Sequence, residues 1–437
     1  MEFKRSSGVL LPMFSLHSKY GIGTMGKAAY EFIDFLEESG QSWWQMLPVE
    51  TTGYGNSPYY CMDAFESNPL FIDLDMLIED GLLTRAEVEA IDWGSDPSRV
   101  DYEKVWAGRK KLFEKFSRQQ LQDIFAAQWK AMKDYANSKG IGLIGDLPIY
   151  VPAESVDVKN NPQEFQLDEN GVPKAVAGVP PDAFSEDGQY WGNALYDWDA
   201  MKKTGYNWWI KRVGRAAGLF DMIRIDHFRG FAQYWSIPYG ETTAKNGHWE
   251  DGPGIDFVRT ITNWYHDTKF IAEDLGVITQ DVGTLLKESG LPGMKVLEFA
   301  FDPDYNSDFL PHNYTSDNCI CYIGTHDNCT AREWIEKDAP KDHLEFARRY
   351  LNITDDEGMV WGLIRGGMGS VARLFVAQMQ DFLELGAEAR INRPNTIDGN
   401  WEWRITAEQL KAAPAEKILE ISRRYGRAPK KTVKPEE

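Results

Sequence analysis

Along the chain, short apolar runs of strand length alternate with stretches whose apolar residues fall at helical spacing. The runs cover residues 9–16, 42–49, 143–151, 222–228, 270–275, 294–301, 319–325 and 387–392. Between the first two, residues 27–38 place Ala28, Phe32, Phe35 and Leu36 on one helical face, and Gly40 supplies a stop. Residues 206–216 repeat the pattern, with Gly218 as the expected end. Such alternation implies βαβ units and a parallel sheet. Eight repeats are the arithmetic of an α/β fold closed as a (β/α)8 TIM barrel, whose active-site residues sit where strands run into the following loops. Two gaps, 50–141 after the second strand and 152–221 after the third, read as insertions on the catalytic face. No internal repeat or low-complexity linker interrupts the chain, so residues 1–437 are expected to form a single catalytic domain. The basic stretch from Arg427 to Lys434 predicts a solvated polar tail over 426–437.

A length of 437 residues exceeds the usual single core, but it suits one large barrel with insertions. Hydrophobic residues make up 43% and no run approaches the roughly 20 consecutive apolar residues of a membrane helix. The run at 8–16 is broken by Pro12 and lacks the features of a secretory signal, so a cytoplasmic location is expected. A formal charge of −20 repels polyanions, which argues against nucleic acid and anionic membrane surfaces as partners. No obligate protein partner is evident. Four cysteines are too few for a disulfide framework; Cys319 and Cys321, two apart on one strand, read as buried free thiols. Aromatic residues reach 13%, with 16 Trp, which exceeds what a core requires. Sugar-binding clefts use such rings as stacking platforms, although they are also ordinary core material.

Three strand ends carry chemistry. In Met222-Ile-Arg-Ile-Asp-His-Phe-Arg-Gly230, Arg224 and Asp226 lie on one side of the strand. The arginine favours the ionised carboxylate that a nucleophile needs, and a structural ion pair is the plain alternative. Ile271-Ala-Glu-Asp-Leu-Gly276 ends in two acids whose side chains diverge, so one of Glu273 and Asp274 can face the barrel mouth while the other caps or pairs. Tyr322-Ile-Gly-Thr-His-Asp-Asn328 ends in His326, Asp327 and Asn328, for which a helix cap and loop hydrogen bond is the competing reading. Carboxylates from three strand ends of one barrel would converge, and a pair of them is the minimum equipment of a glycosidase or transglycosidase. A metal site would use the same residue types, but Arg224 and Arg229 beside the acid argue against it. No phosphate-binding loop, dinucleotide fingerprint, serine elbow or zinc-binding helix motif is present.

R-I-D-H-F-R-G (224–230), A-E-D-L-G (272–276) and G-T-H-D-N (324–328) resemble core motifs of the α-amylase clan in the form used by 4-α-glucanotransferases of the amylomaltase type. G-Y-G-N-S-P-Y (53–59), I-G-D-L-P-I-Y-V (144–151), G-V-P-P-D (178–182), G-Q-Y-W-G-N-A-L-Y-D-W (188–198), P-G-M-K-V-L (292–297) and G-N-W-E-W-R (399–404) extend the resemblance in register over nearly the whole chain. It implies transfer of α-1,4-glucan segments between maltooligosaccharides and glucose by a retaining double displacement, without metal or organic cofactor. It further implies Asp226 as nucleophile, Glu273 as general acid/base and Asp327 as the third carboxylate. Arg224 would orient Asp226, and His326 and Asn328 would bind sugar at the cleavage point. Asp182, Ser57, Tyr59 and Asn400 would line neighbouring subsites, and Trp249 would lie on a flexible loop over the donor. Tyr54 would be a secondary glucan contact or a buried loop aromatic. A retaining hydrolase of the same clan would keep the same carboxylates, whereas a silent glucan-binding protein would have lost one.

The sequence departs from the family pattern between Phe116 and Ala126, where a long helical insertion is expected and several tens of residues are missing. Weaker outer subsites and uncovered apolar surface are expected there. Smaller departures are Glu154 where Asp is preferred, Lys159 for Trp, Tyr60 for Gln and Cys329 where Asp is common.

Overall fold

The computed structural model describes residues 4–181, 185–276, 279–304 and 306–429. Eight strands form one sheet: β1 (Ser6–Leu10), β2 (Trp43–Gln45), β3 (Gly142–Leu147), β4 (Met222–Ile225), β5 (Lys269–Ala272), β6 (Gly293–Val296), β7 (Cys319–Tyr322) and β8 (Leu374–Gln378). Their order is β5-β4-β3-β2-β1-β8-β7-β6. The β1/β2, β1/β8, β7/β8, β3/β4 and β4/β5 pairs all run parallel. At the seam between β5 and β6, the Ala272 N–H donates to the Pro292 carbonyl at 2.9 Å. This is a (β/α)8 TIM barrel. Its strands are buried along their whole length in β3, β4, β7 and β8, which is why they read as largely apolar runs rather than alternating ones.

Six of the expected strands fall on observed ones, the first, 9–16, overlaps β1 only at Val9 and Leu10 before the 3-10 turn Met13–Ser15, and the eighth does not match. Residues 387–392 begin with the 3-10 turn Ala387–Ala389, and the true last strand is Leu374-Phe-Val-Ala-Gln378. The helix before it, Met359–Gly369, carries four glycines and reads poorly as a helix. One of them is required by packing: a side chain at Gly367 would collide with the Phe375 ring of β8. The helix Lys27–Glu38 forms as expected, with Gly40 in the left-handed region at φ 70°. Gly218, by contrast, lies inside the helix Asn207–Leu219, which Phe220 ends.

The chain divides into two compact units. One comprises Met1–Met46, Leu70–Leu143 and Lys295–Glu437. In it, Arg427 is buried at 1% exposure and donates to the carbonyls of Ser6, Met368 and Ala372 at 2.7, 2.8 and 3.0 Å. The solvated tail therefore cannot begin at 426; the carbonyls at the end of the helix Met359–Gly369 and the start of β1 draw the guanidinium inward. Residues 430–437 lie outside the described residues. In the same unit the helix Tyr102–Phe113 is followed almost at once by Arg118–Ser138. Ser117 and Gln120 form a capping box there, and Phe116 packs edge-on against Phe113. None of the large exposed hydrophobic residues falls between 113 and 129. Cys319, Cys321, Cys329 and Cys61 are buried free thiols.

The other unit comprises Leu47–Pro69 and Ile144–Met294. Strands Glu50–Thr52 and Cys61–Ser67 pair antiparallel. A four-stranded sheet follows, ordered His248–Asp251, Gln233–Pro238, Ala175–Val179, Gln189–Ala194. Two of its strands come from the expected insertion after β3, and two from an excursion after β4 that the periodicity did not announce. Among the described residues, no helix is long and apolar enough to cross a membrane.

Candidate active site

At the end of β4, Arg224 and Asp226 point to the same side, as their spacing requires. Arg224 Nη1 donates to Asp226 Oδ1 at 2.9 Å and to Asp146 Oδ1 and Oδ2 at 2.8 and 2.7 Å. Asp146, one strand over at the end of β3, has a side chain with no exposed surface, whereas Asp226 keeps 24% exposed. Burial alone would depress the Arg224 pKa, but Asp146 and Asp226 reverse this and hold it well above its ordinary value. The arginine is thus a permanent cation with one carboxylate to balance it and a second to orient. Tyr59 donates through its hydroxyl to Asp146 Oδ2 at 2.8 Å and closes this side of the cluster.

After Asp226 the backbone turns sharply. His227 adopts φ 46° and ψ 48°, a left-handed conformation that costs a non-glycine residue about 1 kcal/mol or more. The turn aims the His227 N–H at Glu273 Oε2, 2.7 Å away. The Leu275 N–H donates to Oε1 at 2.8 Å. Burial pushes the Glu273 carboxyl up to about 7; Arg224 opposes this, Asp226 adds to it, and the two amides oppose it. Burial, with the charge of Arg229, pushes His227 down to about 3, so its imidazole is neutral. Asp274 takes the other direction expected of adjacent strand residues and accepts from the Met294 N–H at 2.6 Å.

Trp249 lies on the strand His248–Asp251, paired with Gln233–Pro238, rather than on a flexible loop. Its ring is 38% exposed, with the Arg229 guanidinium 4.2 Å from the centroid and Trp235 packed edge-on at 5.1 Å. Tyr54 is 66% exposed, which removes the buried alternative, and lies edge-on to Tyr60 at 6.4 Å. Ser57 Oγ accepts from the Tyr59 N–H at 3.3 Å. Asp182 lies outside the described residues.

The end of β7 builds a second cluster. Asp327, 46% exposed at its side chain, receives a hydrogen bond at Oδ1 from Asn392 Nδ2 at 2.6 Å, and buried His326 places Nε2 3.3 Å from Oδ2. Asn328 Oδ1 accepts from both the N–H and the hydroxyl of Thr325 at 2.9 Å, fastening the turn. Asn400 is buried, accepts from the Arg393 N–H at 2.8 Å and donates to the Thr396 carbonyl at 2.9 Å, so its amide shapes the loop 393–400. Arg224, Asp226, Glu273 and Tyr59 thus form one constellation, and His326, Asp327 and Asn328 another. Sequence reasoning missed Asp146 and Asn392. Asp146 left a signal, an acid inside the apolar strand Gly142–Leu147, and Asn392 another, as the polar end of the expected run 387–392.

The chain matches the family model described as 4-alpha-glucanotransferase over residues 11–122 and 116–410. It is 41% identical to a 4-alpha-glucanotransferase of Clostridium butyricum over 482 aligned residues, covering 94% of this chain and 99% of the relative. A 4-alpha-glucanotransferase of Streptococcus pneumoniae is 40% identical, with 97% and 98% covered. Among solved structures, the amylomaltase of Streptococcus agalactiae in complex with acarbose has a TM-score of 0.91 and 36% identity, covering 98% of this chain and 100% of that one. With barrel, strand-end carboxylates and near end-to-end relatives in agreement, the chain belongs to the 4-alpha-glucanotransferase family.

Proposed function

We propose that this glucanotransferase works through Asp226 as nucleophile and Glu273 as general acid/base, on α-1,4-linked maltooligosaccharides with glucose or another maltooligosaccharide as acceptor. The observation that carries this reading is the pairing of opposite environments at adjacent strand ends. Asp226 is partly open to solvent and faces a permanent cation, which suits an anionic nucleophile. Glu273 is buried and protonated up to about pH 7, which suits an acid. Asp226 attacks the anomeric carbon while Glu273 protonates the departing glycosidic oxygen, leaving a glycosyl ester on Asp226. Esterification removes the negative charge that helps raise Glu273, so its carboxylate form becomes more accessible at the moment a base is needed. Glu273 then takes the proton from the 4-hydroxyl of the acceptor, which attacks and restores the α-1,4 linkage. Asp327 is the third carboxylate, holding sugar hydroxyls, with His326 and Asn328 at the same strand end. Trp249, Ser57, Tyr59, Tyr54, Asp182 and Asn400 are assigned to glucan subsites by family resemblance, and acarbose in the Streptococcus agalactiae amylomaltase supports a maltooligosaccharide-shaped ligand.

Trapping tests the assignment. Glu273→Gln incubated with α-glucosyl fluoride, whose leaving group needs no acid, is expected to accumulate a covalent glucosyl adduct on the peptide containing Asp226. The same variant is expected to be at least about 100-fold slower than wild type on maltotriose. An adduct on another carboxylate, or wild-type turnover by Asp226→Asn, would contradict the roles assigned.

A further inference from the structure

The Asp327 carboxylate is governed by a segment far from it in sequence. Besides the bond from Asn392 to Oδ1, Arg390 spreads its guanidinium over the turn that carries Asp327. Nη2 donates to the Asp327 backbone carbonyl at 3.2 Å, Nη1 to Cys329 Sγ at 3.1 Å, and Nε back to the Asn392 carbonyl at 2.8 Å. One side chain thereby fixes residues 327, 329 and 392 in a single frame. Its charge is met by Glu333, 4% exposed, which lies 3.7 Å from Arg390 and 2.6 Å from Arg393. Cys329 stands where the family commonly has an aspartate, and burial pushes its thiol up to about 12, so Arg390 meets a neutral partner there. Asp327 itself is half exposed, and a short carboxylate in that setting has several staggered conformations open to it unless something selects one.

We propose that Arg390 and Asn392 form a positioning clamp for the third carboxylate, Arg390 fixing the Asp327 backbone and Asn392 selecting its rotamer. The inference rests on the reading of Asp327 given above. Neither residue touches the reacting atoms; both act through Asp327. A preset carboxylate favours the transition state more than the ground state, because a misdirected side chain still permits glucan to bind but no longer meets the distorted ring. Loss of the clamp therefore lowers kcat more than it raises KM.

The test is a double-mutant cycle on Asp327→Asn and Asn392→Ala, with kcat and KM measured on maltotriose and on α-glucosyl fluoride, whose reactivity keeps slow variants measurable. Asn392→Ala alone is expected to lower kcat by about 10-fold or more, with KM changed less than about threefold. In the Asp327→Asn background the same change is expected to cost less than about twofold, because its target is already disabled. Arg390→Lys, which keeps the charge but cannot bridge three acceptors, is expected to show the same kcat-selective loss and covers the case in which Asn392→Ala fails to fold. Wild-type kcat in Asn392→Ala, or a full multiplicative loss on top of Asp327→Asn, would overturn the clamp. Wild-type turnover in Asp327→Asn would instead overturn the reading of Asp327 on which it rests.

Discussion

Glu273 and Asp226 stand next to each other on the sheet, yet their surroundings separate them chemically. The buried glutamate is held neutral to about pH 7, and the pH dependence follows from that direction. In the proposed role of acid in glycosidic cleavage it must carry its proton, so kcat/KM on maltotriose is expected to fall as pH rises through about 7. Its folded pKa is raised above the ordinary 4.5, so the stability it contributes is complete below that value and is lost as pH rises through about 7. Glu273→Gln, which cannot ionise, is expected to show no alkaline limb in its residual turnover of maltotriose and to gain Tm relative to wild type between pH 4.5 and about 7. An unchanged limb, or a Tm difference that does not grow over that range, would place the ionisation elsewhere. At this scale the sequence was informative where a residue stood at the end of an apolar run. Arg224, Asp226, Glu273 and Asp327 were all visible that way. Asp146 was marked only as an acid inside an apolar strand, and its role shows once its partner Arg224 is seen across the sheet.

Among the elements, the doubly buried strands were legible as apolar runs, but their ends were not. Residues 48–49 and 148–151 keep apolar character after leaving the sheet, because they stay buried. β8 was displaced for a different reason: the glycine-rich helix before it gives no clear amphipathic pattern, and packing against Phe375 is what demands Gly367. The hairpin holding Trp249 was likewise hidden, since turn-rich composition reads as loop. The C-terminal arginine is the element-scale case with a measurable cost. Arg427 satisfies carbonyls from β1, the end of Met359–Gly369 and the approach to β8, all buried. Orphaned buried acceptors cost about 1–3 kcal/mol each, so Arg427→Ala is expected to lower Tm by several degrees while leaving kcat/KM on maltotriose near wild type at 25 °C. A Tm within a degree of wild type would mean that water replaces the guanidinium without loss.

For the molecule as a whole, the resemblance reached further than the physical pattern alone. Eight runs predicted a barrel, whereas the distinction between transfer and hydrolysis came from motifs in register and then from the relatives. The alignment with the Clostridium butyricum enzyme spans 482 positions, more than the 437 residues of this chain, and the family match breaks at 116–122. These relatives therefore carry residues that this chain does without, and the Ser117 capping box joins its two helices directly. The barrel and its strand-end carboxylates are intact, so the chemistry is expected to survive the deletion. Product analysis from maltotriose tests that most directly. Transfer conserves the number of reducing ends, so glucose and maltopentaose are expected to appear together with total reducing sugar constant. Maltose and glucose accumulating with a net rise in reducing ends would contradict it.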